Sequence, residues 1–209
     1  MNIRFQLCDL LKEAHKYQYA GISDKPEQIE SKKPRLYFTP TQCGLILLAA
    51  ILATLSNGFS ENFAGYIVAG LSLFAGLFFS FILMLFDRFQ KIDFEPYKLE
   101  NNARMTPIGV RLKNYYKKAT TLSFYIILLA LLCIVLLSLS LLDISVFDFI
   151  SVREDSMILM LLQTIKKGSA LLYRGVTMYF LLDFLWITLY LTATFHNYIF
   201  SEYEKVKLK

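Results

Sequence analysis

The stretch NFAGYIVAGLSLFAGLFFSFILMLF occupies residues 62–86 and contains no charged side chain. Three further stretches resemble it. Residues 36–60 and 119–142 are also uncharged, and residues 175–201 contain one acid, Asp183. A helix needs about 20 apolar residues to cross the hydrocarbon core of a bilayer. The sequence therefore predicts an integral membrane protein with four transmembrane helices.

The composition supports this prediction. Of the 209 residues, 56% are hydrophobic and 19% are charged, and the charged residues are concentrated between the apolar stretches. Four apolar helices without a polar face would leave a soluble domain little hydrophilic surface, so the composition disfavours a soluble fold. Residues 1–35 contain seven basic residues and no apolar core of a signal peptide. We therefore expect the first span to direct membrane insertion.

Basic residues are distributed unevenly among the segments that connect the apolar stretches. The amino-terminal arm (1–35) holds seven, the loop 87–118 holds eight and the tail 201–209 holds three, out of 22 in the chain. The remaining four, in the segment 143–174, are Arg153, Lys166, Lys167 and Arg174. Because Lys and Arg are retained on the cytoplasmic side of a membrane, both termini are predicted to be cytoplasmic.

The predicted fold is an all-α integral membrane four-helix bundle made of two antiparallel hairpins. Residues 36–86 form the first transmembrane hairpin, and residues 119–200 form the second transmembrane pair with the outer loop 143–174. The apolar run 157–162 within that loop is too short to cross a bilayer, which indicates an interfacial or re-entrant helix. This short helix is expected either to pack over the bundle or to detect disturbance in the outer leaflet.

Small residues recur about every four positions along the second span. They are Gly65, Ala69, Ser72, Gly76 and Ser80. Small residues at this spacing allow two helix backbones to approach closely in a membrane. The partner is either the first span, through Ala49 and Ala53, or a second subunit.

Basic and aromatic residues alternate directly before the third span. They are Arg111, Lys113, Tyr115, Tyr116, Lys117 and Lys118. Cations attract anionic headgroups and tyrosines favour the membrane interface, so contact with the membrane surface or with a cytosolic partner is expected. Nucleic-acid binding is the less favoured interpretation, because the cluster adjoins a span without a spacer.

Asp183 is the one acid within a predicted span. An ionised carboxylate inside the bilayer costs roughly 2.5–3.5 kcal/mol on insertion scales. The nearest basic residue in sequence, Arg174, is nine positions away, or about 13 Å along a helix, which is too far for direct pairing. The partner of Asp183 is therefore expected on another helix, on a neighbouring subunit or in a water-filled cavity.

No catalytic, cofactor-binding or metal site is predicted. The three cysteines, Cys8, Cys43 and Cys133, and the two histidines, His15 and His196, form no ligand motif. The chain also lacks a phosphate-binding glycine loop, a paired-histidine zinc motif and a nucleophile elbow. These observations favour a protein without enzymatic activity.

The layout of four spans at residues 36, 62, 119 and 175, with modest cytoplasmic segments, resembles the small membrane components of bacterial anti-phage defence systems. Examples are the membrane subunit of Kiwa and the membrane accessories of some CRISPR nucleases. The resemblance implies an inner-membrane homo-oligomer that communicates with a cytosolic effector. The leading hypothesis is a non-enzymatic sensor or scaffold, and the alternative is an oligomeric pore-forming effector or small ion channel in which Asp183 faces the path.

Overall fold

A computed structural model describes residues 3–19, 39–56, 58–93, 98–99, 102–141 and 157–207. This part of the chain is helical apart from one short strand pair. The helices are α1 (Ile3–Tyr19), α2 (Pro40–Leu55), α3 (Glu61–Gln90), α4 (Pro107–Leu141) and α5 (Met157–Lys207). The strands β1 (Lys98–Leu99) and β2 (Asn102–Met105) pair antiparallel, with Lys98 opposite Met105 and Leu99 opposite Asn102.

Three helices are long and apolar enough to cross a membrane. They are α3, α4 up to Ser140, and the part of α5 from Lys167 to Phe200. The prediction of a helical membrane protein is confirmed for these three helices, but a fourth span is not shown. Helix α2 has 16 residues, which corresponds to about 24 Å and is shorter than the roughly 30 Å hydrocarbon core.

Local sequence explains why α2 is shorter than the uncharged run 36–60. Thr39 caps its amino terminus by accepting a hydrogen bond from the Gln42 backbone, while the Gln42 side chain accepts one from Thr39. Pro40 occupies the first turn, where its missing N–H costs nothing. The helix ends at Ser56, whose backbone is extended. Gly58 then adopts a φ of +135°, a backbone conformation that residues other than glycine rarely adopt.

Helix α5 continues through two predicted boundaries. The run 157–162, expected as a separate interfacial helix, is the beginning of α5, and the predicted tail is helical as far as Lys207. The predicted outer loop 143–174 is thus helical from residue 157 onward. Similarly, α3 extends to Gln90 and α4 begins at Pro107, so both enter the predicted loop 87–118. Good helix-forming residues, among them Glu204, Lys205 and Lys207, carry α5 beyond its apolar part.

The chain forms two compact units that do not follow the segment order of the sequence. The first comprises Met1–Tyr37, Phe74–Leu128 and Leu185–Lys209. Its buried side chains include Ala14 of α1, Leu85 of α3, Leu122 and Ile126 of α4, and Leu191 of α5.

The second unit comprises Phe38–Leu73 and Leu129–Phe184. Its buried residues include Ala49 and Ala53 of α2, Ala64 and Leu71 of α3, Cys133 and Leu137 of α4, and Thr177 and Asp183 of α5. The Tyr173 hydroxyl donates a hydrogen bond to the Leu136 carbonyl and so joins α5 to α4. An Arg174 guanidinium nitrogen donates to the Ser56 carbonyl at 3.2 Å, at the end of α2.

Large apolar side chains lie on the outside of the apolar helices. The most exposed include Leu47, Leu55, Tyr66, Leu73 and Leu172, which are 64–79% exposed. Only 11% of the most apolar part of α3 is buried, against 39% for α4. Water would oppose so much apolar exposure, whereas hydrocarbon does not. The surface is therefore that of a protein embedded in a membrane.

Candidate functional site

Three of the six basic and aromatic residues before the third span form a cluster with α1 and α5 within the first unit. We call the resulting set the tyrosine–lysine cluster. Its members are Tyr17 of α1, Tyr115, Lys117 and Lys118 of α4, and Tyr190 and Tyr198 of α5. The cluster brings together three helices that are distant in sequence.

Lys118 lies at the centre of the cluster and is 4% exposed. Its ammonium nitrogen Nζ donates a hydrogen bond to the Tyr190 hydroxyl Oη at 2.7 Å, and it lies 4.8 Å from the centre of the same ring. The Tyr190 hydroxyl donates in turn to the Tyr17 carbonyl at 3.2 Å. A buried cation requires such partners, because an unsatisfied charge is costly in an apolar environment. Tyr190 therefore connects α4 and α5 to the backbone of α1.

A second contact between α1 and α4 lies on the surface. The Lys117 ammonium donates to the Glu13 carboxylate at 3.2 Å, and both side chains are about half exposed. An exposed pair of this kind contributes roughly 0.2–1 kcal/mol. Burial raises the pKa of the Tyr17 phenol, and the nearby Lys117 charge opposes that shift. Tyr17 is therefore a neutral phenol at physiological pH, as its ordinary pKa already implies.

Aromatic rings complete the cluster between α4 and α5. The Tyr115 ring stacks on the Tyr198 ring, with centroids 3.8 Å apart and planes 13° apart. The edge of Phe195 meets Tyr115 at 5.7 Å, and Phe195 also meets Phe81 of α3 at 4.9 Å. Tilted and edge-to-face pairs of this type add to the free energy of burial. Tyr115 is thus part of the protein interior.

The six predicted surface-contact residues have different environments. Arg111 and Lys113 are exposed, and Tyr116 is partly buried beside Phe89 of α3, with ring centroids 5.5 Å apart. Tyr115 and Lys118 are buried, and Lys117 pairs with α1. Only part of the predicted cluster is therefore available to a headgroup or a partner.

Asp183 lies in the second unit and is 2% exposed. It is close enough to the buried Cys133 thiol of α4 to interact with it electrostatically. The Thr177 hydroxyl, also buried, donates to the carbonyl of Tyr173 on its own helix. Asp183 is thus enclosed within one copy of the chain. Within the described part of the chain, no three His, Cys, Asp or Glu side chains are grouped to hold a metal ion.

The predicted stripe of small residues lies on an exposed part of α3. Its members, Gly65, Ala69, Ser72, Gly76 and Ser80, are all exposed. A Cβ atom at Gly65 or Gly76 would meet no other atom within 4 Å. The two serine hydroxyls donate to carbonyls of their own helix. The stripe therefore does not mediate packing against α2.

The small face of α2 has a different partner from the one considered in the sequence analysis. Ala49 and Ala53 are each 2% exposed. A Cβ atom at Gly175 of α5 would lie 3.9 Å from the Ala53 Cβ. The close contact of α2 is thus with α5 in the second unit. Gly175 marks it in the sequence only as an isolated glycine, which is a weak signal.

Sequence reasoning missed several members of the site. Tyr17, Tyr190 and Tyr198 were not identified; Tyr17 lies near the end of α1, whereas Tyr190 lies well inside α5. Tyrosines favour membrane interfaces, which was the available signal. The chain matches no known protein family, no curated protein and no solved structure.

Proposed function

We propose that this chain is a non-enzymatic sensor or scaffold of the bacterial inner membrane, acting in anti-phage defence. In this proposal it crosses the membrane four times, has both termini in the cytoplasm and forms a homo-oligomer. It couples the membrane to a cytosolic effector protein. The proposal depends on two successive hydrogen bonds: Lys118 donates to the Tyr190 hydroxyl, and the Tyr190 hydroxyl donates to the Tyr17 carbonyl.

These two hydrogen bonds support coupling because they join the apolar helices α4 and α5 to the amino-terminal helix α1. Lys118 and Tyr190 belong to helices that are apolar enough to span a bilayer, whereas α1 is separated from α2 by residues 20–39. A displacement of α5 would move Tyr190 directly, and a displacement of α4 would move it through Lys118. Either change would alter the docking of α1. Coupling of this kind requires α1 to have a docked and an undocked arrangement, because a change passes between sites through elements that have two discrete states.

The exposed cations provide the expected contact with the effector. Arg111 and Lys113 are the residues to neutralise, because their side chains are exposed, whereas Lys118 is buried. We expect the chain, purified in mild detergent from its own cells, to retain one cytosolic protein. Neutralising both residues, in Arg111→Gln with Lys113→Gln, should release that protein without changing the mass of the oligomer.

The matched control neutralises two exposed lysines elsewhere, in Lys12→Gln with Lys167→Gln, and so removes the same charge. Quantitative mass spectrometry of the purified material measures retention, and light scattering measures the oligomer. Equal retention by both double variants would refute this form of the proposal.

A pore or small channel is the competing function. It requires Asp183 to face a conducting path, and the burial of Asp183 within one copy of the chain does not favour that position. Ion flux through liposomes that contain the protein, lost in Asp183→Leu with normal insertion, would favour the pore and displace the sensor proposal.

A further inference from the structure

One exposed cation lies near Tyr116 in the first unit, and a second exposed cation lies about one helical turn from Tyr116 along α4. Arg88, near the end of α3, is close enough to the Tyr116 hydroxyl of α4 to act on it electrostatically. The neighbouring ring of Phe89 contacts the Tyr116 ring at 5.5 Å. Lys113 precedes Tyr116 by three positions and so lies on the same side of α4. Among the described residues, neither Arg88 nor Lys113 forms a salt bridge.

An apolar groove lies between α3 and α5 in the same unit and has a volume of about 270 Å³. Its walls include Phe74, Leu77, Phe78 and Phe81 of α3 and Leu191 and Thr192 of α5. Apart from the Thr192 hydroxyl, which donates to its own helix, these side chains offer no polar group. The groove therefore suits a hydrocarbon chain.

The groove and Arg88 share one side of α3. Phe74, Phe78, Phe81, Leu85 and Arg88 recur every three or four positions, which places them along one face of a helix. Arg88 lies seven residues beyond Phe81, or about 10 Å along the axis. The apolar groove is followed two helical turns later by the positive charge of Arg88. This order of apolar and charged groups matches the acyl chain and headgroup of a phospholipid.

We propose that this groove, with Arg88, Lys113 and Tyr116, binds one anionic phospholipid. The acyl chain lies along the aromatic groove, and the phosphate lies between the two cations and accepts a hydrogen bond from the Tyr116 phenol. Charge complementarity selects this occupant over a helix of a second copy, because an apolar helix face offers no anion to Arg88 and Lys113. The site does not depend on a cytosolic effector.

Native mass spectrometry of the purified, intact chain in detergent tests the site. The probes are palmitoyl-oleoyl phosphatidylglycerol, phosphatidylcholine with the same chains, dihexanoyl phosphatidylglycerol and inorganic phosphate. We expect the long-chain anionic lipid to bind more tightly than the long-chain zwitterionic lipid. Arg88→Gln with Lys113→Gln should weaken its binding about 30-fold, since each cation near an anionic headgroup contributes about 5-fold and the two factors multiply.

Two further variants separate the charged and the apolar parts of the site. The control pair Lys12→Gln and Lys167→Gln removes equal charge from other exposed positions and should leave binding unchanged. Thr192→Trp fills the groove and should weaken binding of the long-chain lipid but not of the short-chain lipid. The melting temperature of each variant in detergent confirms that it is folded.

Four results would overturn the proposal. They are equal affinity for the two long-chain lipids, an equal loss in the control pair, full competition by inorganic phosphate, and a change of oligomer mass in Thr192→Trp without a change in lipid binding. The third would indicate a simple anion site, and the fourth would indicate that the groove is an interface between copies of the chain.

Discussion

Lys118 shows how one residue acquires a role that its position alone does not indicate. In sequence it is the last of several cations before an apolar stretch, where a lysine normally extends to headgroups. In the structure its ammonium group donates to the Tyr190 hydroxyl at 2.7 Å and lies 4.8 Å from the ring centre. The phenol oxygen accepts this hydrogen bond and so helps to satisfy the buried ammonium group. Lys118 therefore stabilises the interior of the first unit.

Gly58 provides a prediction at the scale of a single residue. Its φ of +135° is strained for any residue with a Cβ, and a Cβ there would lie 3.3 Å from an Arg174 guanidinium nitrogen. We expect Gly58→Ala to lower the free energy of unfolding by about 2 kcal/mol. Denaturant unfolding in detergent, followed by circular dichroism, measures the change.

Gly168 is the matched control. It lies in α5, and a Cβ there would meet no atom within 4 Å. Alanine is a better helix former than glycine, so Gly168→Ala should raise the free energy of unfolding by roughly 0.5–1 kcal/mol. Equal effects of the two substitutions would show that the turn at Gly58 does not need its unusual backbone conformation.

At the scale of elements, α1 is held mainly by its carboxyl-terminal half. Ala14 and Tyr17 are buried, whereas Leu7 and Leu11 are 40% and 43% exposed. The Tyr190 hydroxyl and the surface pair of Glu13 with Lys117 fix the docked half. The exposed leucines leave an apolar edge on the other half of the helix.

Removing the Tyr190 hydroxyl should loosen the docking of α1. Tyr190→Phe loses two hydrogen bonds, each with a net contribution of about 1 kcal/mol. Spin labels at Cys8 and at Lys113→Cys, with the other cysteines replaced, report the distance between α1 and α4. We expect a narrow distribution of distances in the parent protein and a broad one in Tyr190→Phe.

Thr192→Val is the control for this measurement. It removes a hydroxyl from the same helix, but that hydroxyl bonds only to the Thr188 carbonyl of α5. Its distance distribution should match that of the parent protein. If Tyr190→Phe also matches the parent, Tyr190 does not hold α1 in place.

At the scale of the whole molecule, the decisive property is orientation in the membrane. The proposal places both termini in the cytoplasm and the turn before α3 outside. In a chain whose only cysteine is Cys8, a membrane-impermeant maleimide should label the protein only after the cells are permeabilised. In a chain whose only cysteine is Glu61→Cys, it should label spheroplasts directly.

Both positions are exposed in the structure, so poor access within the folded chain does not account for a difference in labelling. Extraction with alkaline carbonate provides the companion measurement, and the protein should remain in the membrane pellet. Identical labelling of the two positions in spheroplasts would contradict the predicted topology.

The amino-acid sequence alone was enough to predict a membrane environment and the approximate positions of the long helices. The uncharged stretches 62–86 and 119–142 lie within α3 and α4 except for residue 142, which is outside the described residues. Hydropathy is a property of neighbouring residues in the chain, so it can be read locally. The helix ends were less predictable, because polar residues continue α5 beyond its apolar part.

Which side chains are buried became clear only from the tertiary structure. The Tyr190 hydroxyl meets the Tyr17 carbonyl across 173 positions of sequence, and Lys118 meets Tyr190 across 72. The small-residue stripe of α3 proved to be exposed, while Ala53 of α2 approaches Gly175 of α5. Local patterns cannot determine such pairings, because helical periodicity defines a face but not the helix that covers it.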